Sequence, residues 1–515
     1  MECERTKLSY ANSSFSTLLY RFRWVFCQLD TLQHCPPPNL RRFLNELPET
    51  LDETYEWILR RINKAQKDDA HRLLQCLAVA VRPFRVEELA ELLAFDYQAS
   101  GSGGIPTLKE HWRWDDEEAA VLSTCSSLIT IVPSGDSRVV QFSHFSVKEY
   151  LTSPRLACSQ GDVSRFHVDL KPAHTILAQT CLGSLLQLDD RADNNSSKEF
   201  PLVEYAAQHW VDHAQFEGVS SLVRDGMDDL FDSSKPHFAA WFRVHDIDEE
   251  WDRFSHTSLH GPGSPLYFSA FCGFDNLTER LIMKNPGEVN AGGGRILAPL
   301  PAALYKRHFH IADLLHTHGA VLDVRGIAGK TLLHTASMFG YLDIMRWLLD
   351  HSADANARQD NRSTPLHLAA RNRELEAVQL LLEHNPDVNS QNGEGETPLY
   401  EALTYYRSSP GIDIVRRLLE YGTDPNIRDN SQSIPLHRAS FRGWLEVVRL
   451  LLSYGANVDE KDQDGRTSFQ EASENGHHEI AKLLNMVPRL SRSVRLRLRY
   501  PHVLEIYSLY RCLTA

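Results

Sequence analysis

Thr364-Pro365-Leu366-His367-Leu368-Ala369 is the stretch that decides the fold, because looser copies of it return along the second half of the chain. They begin at Ser264, Ala298, Thr331, Thr397, Ile434 and Thr467, with successive steps of 34, 33, 33, 33, 37 and 33 residues. A fixed period of this length means stacked helical units, each burying its apolar side against its neighbours. Each position of the phrase has a physical use. The Thr364 hydroxyl caps a helix, and Pro365 opens it at a place where no backbone donor is needed. Leu366 points into the stack, and Ala369 lets two helices approach closely. About ten residues later Leu375, Val378, Leu381 and Leu382 mark a second helix by their spacing. Asp387-Val388-Asn389-Ser390-Gln391-Asn392-Gly393 then closes the unit in a turn. The same course of events runs through 344–356, 414–426 and 447–457.

The phrase and its period resemble the ankyrin repeat. Seven copies span 264–486, the inner ones close matches and those at Ser264 and Ala298 degenerate. Pro301 in the second copy is expected to disturb its helix. The resemblance implies a solenoid whose turn tips and first helices form a concave, variable surface for a protein partner. Residues that break the repeat pattern are the candidate contacts. In the tips these are Arg358, Gln359 and Asp360, then Glu394, Arg428 and Asp429, and finally Lys461 and Gln463. The 37-residue step adds a loop near Tyr405, Tyr406 and Arg407, residue types favoured at interface hot spots.

Two constellations invite chemical readings that fail on spacing. His334, His367 and His437 occupy the fourth place of the phrase, one per repeat. Sites a full repeat apart lie too far from one another to share an ion with ligand bonds of about 2.0–2.1 Å. They are read as hydrogen-bonding the turns, and His477-His478-Glu479 is read as a helix start. Gly329-Lys330-Thr331 looks like the end of a phosphate-binding loop, but the first glycine that motif needs falls on Val324. Thr331 is in register as the opening of a repeat. No cofactor and no metal is expected.

At 515 residues the chain has room for three or four domains. A net charge of −14 argues against general nucleic-acid affinity, which draws on clustered Lys and Arg. Nine cysteines without a C-x-x-C pair suit reduced thiols, so a cytoplasmic or nuclear location is expected. Nothing near Met1 reads as a signal peptide, and no apolar run reaches the length of a membrane span.

The first half reads as helices over 55–63 and 71–81, followed by a helix from Val86 to Leu93 and another beginning near Asp115. Ser127–Val132 and Val139–Phe142 flank Pro133-Ser134-Gly135-Asp136, a hairpin signal. Phe142–Leu151 enters a helix, and 174–188 and 203–213 are helical again. The phrase around Trp24–Leu32, the run Leu47-Pro48-Glu49-Thr50-Leu51-Asp52-Glu53-Thr54-Tyr55 and Arg82-Pro83-Phe84 resemble the end of a NACHT-type signalling NTPase of the STAND class. Versions fused to ankyrin repeats are common in filamentous fungi. The resemblance implies a mainly α chain: the end of a NACHT-like helical region over 1–63, a winged-helix domain over 64–155, a helical linker domain over 156–255, and the repeats over 264–486. The basic tail 487–515 stays unassigned.

In that family the nucleotide core stands upstream of the Trp24-like segment, and about twenty residues precede it here. Autonomous nucleotide hydrolysis is therefore not expected. His144 aligns with the family's winged-helix histidine, which touches the diphosphate of bound nucleotide. The expected function is a non-enzymatic protein-binding scaffold or sensor. The alternatives are a subunit of a split NTPase, with the nucleotide core on an associated chain, and a substrate adaptor.

Overall fold

The computed structural model describes residues 50–98, 104–159, 161–189, 199–245, 263–294, 296–404 and 411–486. The Trp24 segment, most of the Ser100–Gly104 patch, the Tyr405–Pro410 loop and the basic tail lie outside the described residues. The contacts divide the chain into two compact units, 1–265 with 272–281 and 266–271 with 282–515.

In the first unit, α1 (Leu51–Arg61) starts at Thr50, whose hydroxyl accepts the Glu53 amide while the Glu53 carboxylate accepts the Thr50 amide. This reciprocal cap satisfies two of the helix's orphan donors. Next come α2 (Lys67–Val79), β1 (Phe84–Arg85), α3 (Val86–Glu91), β2 (Phe95–Asp96), β3 (Thr107–Leu108) and α4 (Glu117–Cys125). The expected hairpin is β4 (Ile129–Ser134) and β5 (Ser137–Phe142), turning at Gly135, whose φ of +59° costs a glycine little. A two-residue strand absent from the sequence reading, β1, pairs with β5 in the order β1-β5-β4, and both Phe84 and Ile131 sit opposite the fully buried Val140.

The chain continues through α5 (Phe145–Leu151), α6 (Pro154–Ala157), α7 (Leu170–Leu185) and α8 (Val203–Ala214). The short helices α9 (Arg224–Leu230) and α10 (His237–Val244) were not expected. Trp210 has no exposed surface and meets Trp241 at 5.4 Å, Phe274 at 5.4 Å and Phe231 at 6.1 Å. Two buried carboxylates lock α3 in place. Glu88 takes the Arg82 guanidinium at 2.7 and 2.8 Å and the Arg85 amide at 2.7 Å. Glu91 pairs with Arg113 at 2.5 Å and accepts the Leu202 amide at 2.6 Å.

Seven helix pairs follow: α11 (Pro265–Cys272) with α12 (Asp275–Lys284), α13 (Pro299–Tyr305) with α14 (Phe309–Thr317), and α15 (Leu332–Phe339) with α16 (Leu342–Asp350). Then come α17 (Pro365–Asn372) with α18 (Leu375–Glu383), α19 (Pro398–Glu401) with α20 (Ile412–Glu420), α21 (Pro435–Arg442) with α22 (Leu445–Ser453), and α23 (Ser468–Glu474) with α24 (His478–Met486). Every phrase start is the residue just before a first helix. From α15 to α23 each first helix packs on the next, and from α16 to α24 each second helix does the same. Pro301 does not disturb α13: it stands in the first turn, and the cap residue Ala298 has no side-chain acceptor that an amide there would need. α19 is four residues long, the structural trace of the 37-residue step.

Candidate functional site

The repeated histidines settle first, because they show which polar atoms the stack consumes. The Nδ1 of His334 accepts the Thr331 amide at 3.2 Å, and that of His367 accepts the Thr364 amide at 3.1 Å. His437 does the same for Ile434 at 3.2 Å. With Nδ1 accepting, the proton sits on Nε2, which donates to the carbonyls of Ser363, Glu396 and Arg466 at 3.1, 3.1 and 3.2 Å. Each acceptor lies 29 residues on, so every ring ties one repeat to the tip of the next. Tyr267 makes the equivalent tie in the first repeat, its hydroxyl accepting the Ile296 amide. Burial pushes His334 and His367 down to about 4 and lowers His437 as well.

A second ladder runs through the turns. Asn290 accepts the Val321 amide, Asn356 that of Asp387, Asn389 that of Asp424 and Asn426 that of Asn457, at 2.7–2.9 Å. Asp323 holds the corresponding place and accepts the Asp354 amide at 3.5 Å. Its other carboxylate oxygen is buried without a hydrogen-bond partner, and desolvation raises its pKa. A third set joins the tips backbone to backbone, from Asp360, Gly393, Asn430 and Gln463 to Ala328, Asn361, Glu394 and Ser431. Gly395 beside it has φ +75°, and a Cβ there would meet the Asn430 nitrogen at 2.9 Å.

What the ladders leave over is the surface available to a partner. The side chains of Arg358, Asp360, Glu394, Arg428, Lys461 and Gln463 are exposed at the tips. Arg428 is partly engaged, by Glu460 and by Gln432 at 3.1 Å. Gln359 is buried, its amide donating to Asn361 at 2.7 Å. Asp429 is buried too, and its carboxylate accepts from the Ser431 and Ser433 amides at 2.9 and 2.8 Å and the Ser431 hydroxyl at 2.7 Å. It shapes its own turn and presents no charge to a partner. Asn392 and Asp462 occupy the same place in their repeats with the same two amide contacts. That recurrence is the sequence signal marking Asp429 as scaffold. Tyr405, Tyr406 and Arg407 lie outside the described residues.

The first helices contribute residues that the tip-based reading passed over. A cavity of about 200 Å³ is lined by Tyr400, Arg438, Phe441, Asp464, Arg466 and Glu471 with neighbouring tip residues. Arg466 lies within ion-pair distance of Asp464 at 2.9 Å, Glu471 at 3.1 Å, Asp462 at 3.4 Å and Glu474 at 3.8 Å. Among the described residues no group of three or more His, Cys, Asp or Glu is disposed to hold a metal ion.

In the first unit His144 precedes α5 and caps it. Its Nδ1 accepts the Ser146 amide at 3.2 Å and lies 2.6 Å from the Ser146 hydroxyl, which in turn meets the Tyr55 hydroxyl at 2.8 Å. The nitrogen thus has a structural task of tying α5 to α1. A deeper relay joins Tyr205 to His213 at 2.9 Å and His213 to His174 at 3.0 Å. Burial holds the fully enclosed His213 down to about 3.

Comparison with known proteins agrees with this division. Residues 59–163 match the winged helix domain described for GPI inositol-deacylase, and 266–359, 351–429 and 407–487 match ankyrin repeats. The chain is 31% identical over 296 residues to azaphilone pigments biosynthesis cluster protein L of Monascus ruber. That alignment covers 54% of this chain and spans 61% of the relative's length. The chain is thus a mostly helical protein that combines a winged-helix region with ankyrin repeats. Those repeats point to a non-catalytic interaction role. No described helix is long and apolar enough to cross a membrane.

Proposed function

We propose that this chain is a non-enzymatic scaffold or sensor in which the ankyrin stack holds a protein partner, built on the plan of a STAND signalling NTPase. The observation that carries the reading is the sorting of polar groups in the second unit. Histidine rings, asparagine side chains and tip amides are spent on repeat-to-repeat bonds, while the tips still present exposed charged side chains at Arg358, Asp360, Glu394, Arg428 and Lys461. A surface of that kind recognises another polypeptide by its variable residues, while the repeated ones keep the stack together. The winged-helix match beside the repeats supports the STAND plan, since the resemblance implies that order of regulatory and sensing parts. On this reading the protein works in the cytoplasm or nucleus, with partner contacts at Arg358, Asp360, Glu394, Arg428, Lys461 and Gln463.

The test is co-elution of the full chain with a partner recovered by cross-linking from its native extract. Replacing Arg358, Asp360 and Glu394 together by alanine should abolish co-elution, and replacing exposed Glu376 and Glu383 of α18 should preserve it. A partner indifferent to the tip changes, or turnover of ATP or GTP by the purified chain, overturns the reading.

A further inference from the structure

The last three repeats contain a charge imbalance that the scaffold itself does not use. Around Arg466 stand four carboxylates, those of Asp462, Asp464, Glu471 and Glu474, all within 4 Å of one guanidinium. Asp464 and Glu474 each keep 60% of their side-chain surface in solvent. Glu471 is the opposite case: the residue is 5% exposed, lines the cavity, and has one carboxylate oxygen with no hydrogen-bond partner. A buried carboxylate oxygen left unpaired costs its full desolvation penalty unless a donor arrives.

The aromatic walls of the cavity are already attended by cations. Arg438 lies 5.8 Å from the Tyr400 ring centre and Arg442 lies 5.7 Å from that of Phe441. The end open to a further positive charge is therefore the carboxylate end. Burial raises the pKa of Glu471, and the surrounding acids, Glu471 first, raise that of Arg466. The carboxylates are not disposed as metal ligands, so a donor carried on a flexible stem suits them better than a bare ion.

We infer that the cavity between α21 and α23, at its Asp464 and Glu471 end and with Glu474 across Arg466 from it, receives an arginine or lysine side chain of the partner polypeptide. This rests on the scaffold reading and adds to it the chemistry of the partner: a basic segment laid along the first-helix side of repeats five to seven. A guanidinium bridging Asp464 and Glu474 completes the ion pairs that Arg466 alone leaves underfilled.

The experiment uses the full chain and a fluorescein-labelled hexa-arginine peptide, with a hexa-glutamate peptide as comparison, read by fluorescence anisotropy. Hexa-arginine is expected to bind and hexa-glutamate to be ignored. The double variant Asp464→Asn with Glu474→Gln should weaken hexa-arginine binding about fivefold, as for two exposed ion pairs. Asp464→Asn alone should give an intermediate loss. Glu376→Gln with Glu383→Gln removes the same charge from α18 and should change binding by less than about twofold. Equal losses from the two double variants, or no preference for hexa-arginine, overturn the inference. Neither result touches the tip-variant test, so the scaffold reading stands or falls separately.

Discussion

The two units of this chain are held together by different kinds of contact. In the first, the decisive contacts occur once each and at unrelated separations, from Glu88 with Arg82 and Arg85 close by in sequence to Glu91 with Arg113 and Leu202 and Trp210 with Trp241 and Phe274. In the second, a few bonds recur at nearly constant separation: histidine to carbonyl 29 residues on, asparagine to amide 31 residues on. A structure built from unique contacts loses much when one is removed. A stack with nearest-neighbour bonds loses one rung, and the damage stays local.

Trp210→Ala should show the larger effect, about 3–5 kcal/mol as for other buried aromatic truncations. Guanidinium unfolding followed by hydrogen exchange should find protection lost throughout the first unit and kept in the repeats. Equal loss in both would erase the comparison. Acid comes next and acts on both units. An unfolded histidine binds a proton as pH falls through about 6.5, whereas buried His334 and His367 do so only near 4. Stability is complete above about pH 6.5 and drains away toward pH 4. At pH 5.5 each should cost the stack on the order of 1–1.5 kcal/mol, and His213 should cost the first unit a similar amount once. A midpoint unchanged between pH 7.5 and 5.5 would refute the neutral Nε2–H assignment.

Smaller still, Asn356→Ala should cost about 1 kcal/mol and speed exchange of the Asp387 amide, with the amides of Asp424 and Asn457 unaffected. Spreading of the effect along the ladder would show longer-range cooperativity. The smallest effect runs in the other direction. Asp323→Asn removes a desolvated charge and gives this rung the side chain that its neighbours carry, so the unfolding free energy should rise by about 0.5–1 kcal/mol, read from the denaturant midpoint.

The second unit was legible because its period declares itself: the Thr-Pro-Leu-His phrase places helix starts to the residue, and His367 bonds as an architectural histidine should. Less was readable where one residue has two uses. Asn356 and Asn389 read as turn formers, and nothing local reveals that their side chains reach the next repeat. Asp429 was taken for a contact as a residue that breaks the repeat pattern, although Asn392 and Asp462 fill the same place. In the first unit β1 is two residues long and finds Val140 more than fifty residues away, a pairing no window of sequence contains. His144 carries its role in geometry alone, since histidine is not a usual helix cap.

The short helix α19 and the lengthened fifth repeat have a practical consequence. Across that repeat the asparagine bond grows from 31 to 35 residues of separation and the tip bond from 32 to 36, yet both bonds form at 2.9 Å. Alignment here is counted in rungs and not in residues. Four residues can therefore be added within one repeat while the bonds tying it to its neighbours keep their length.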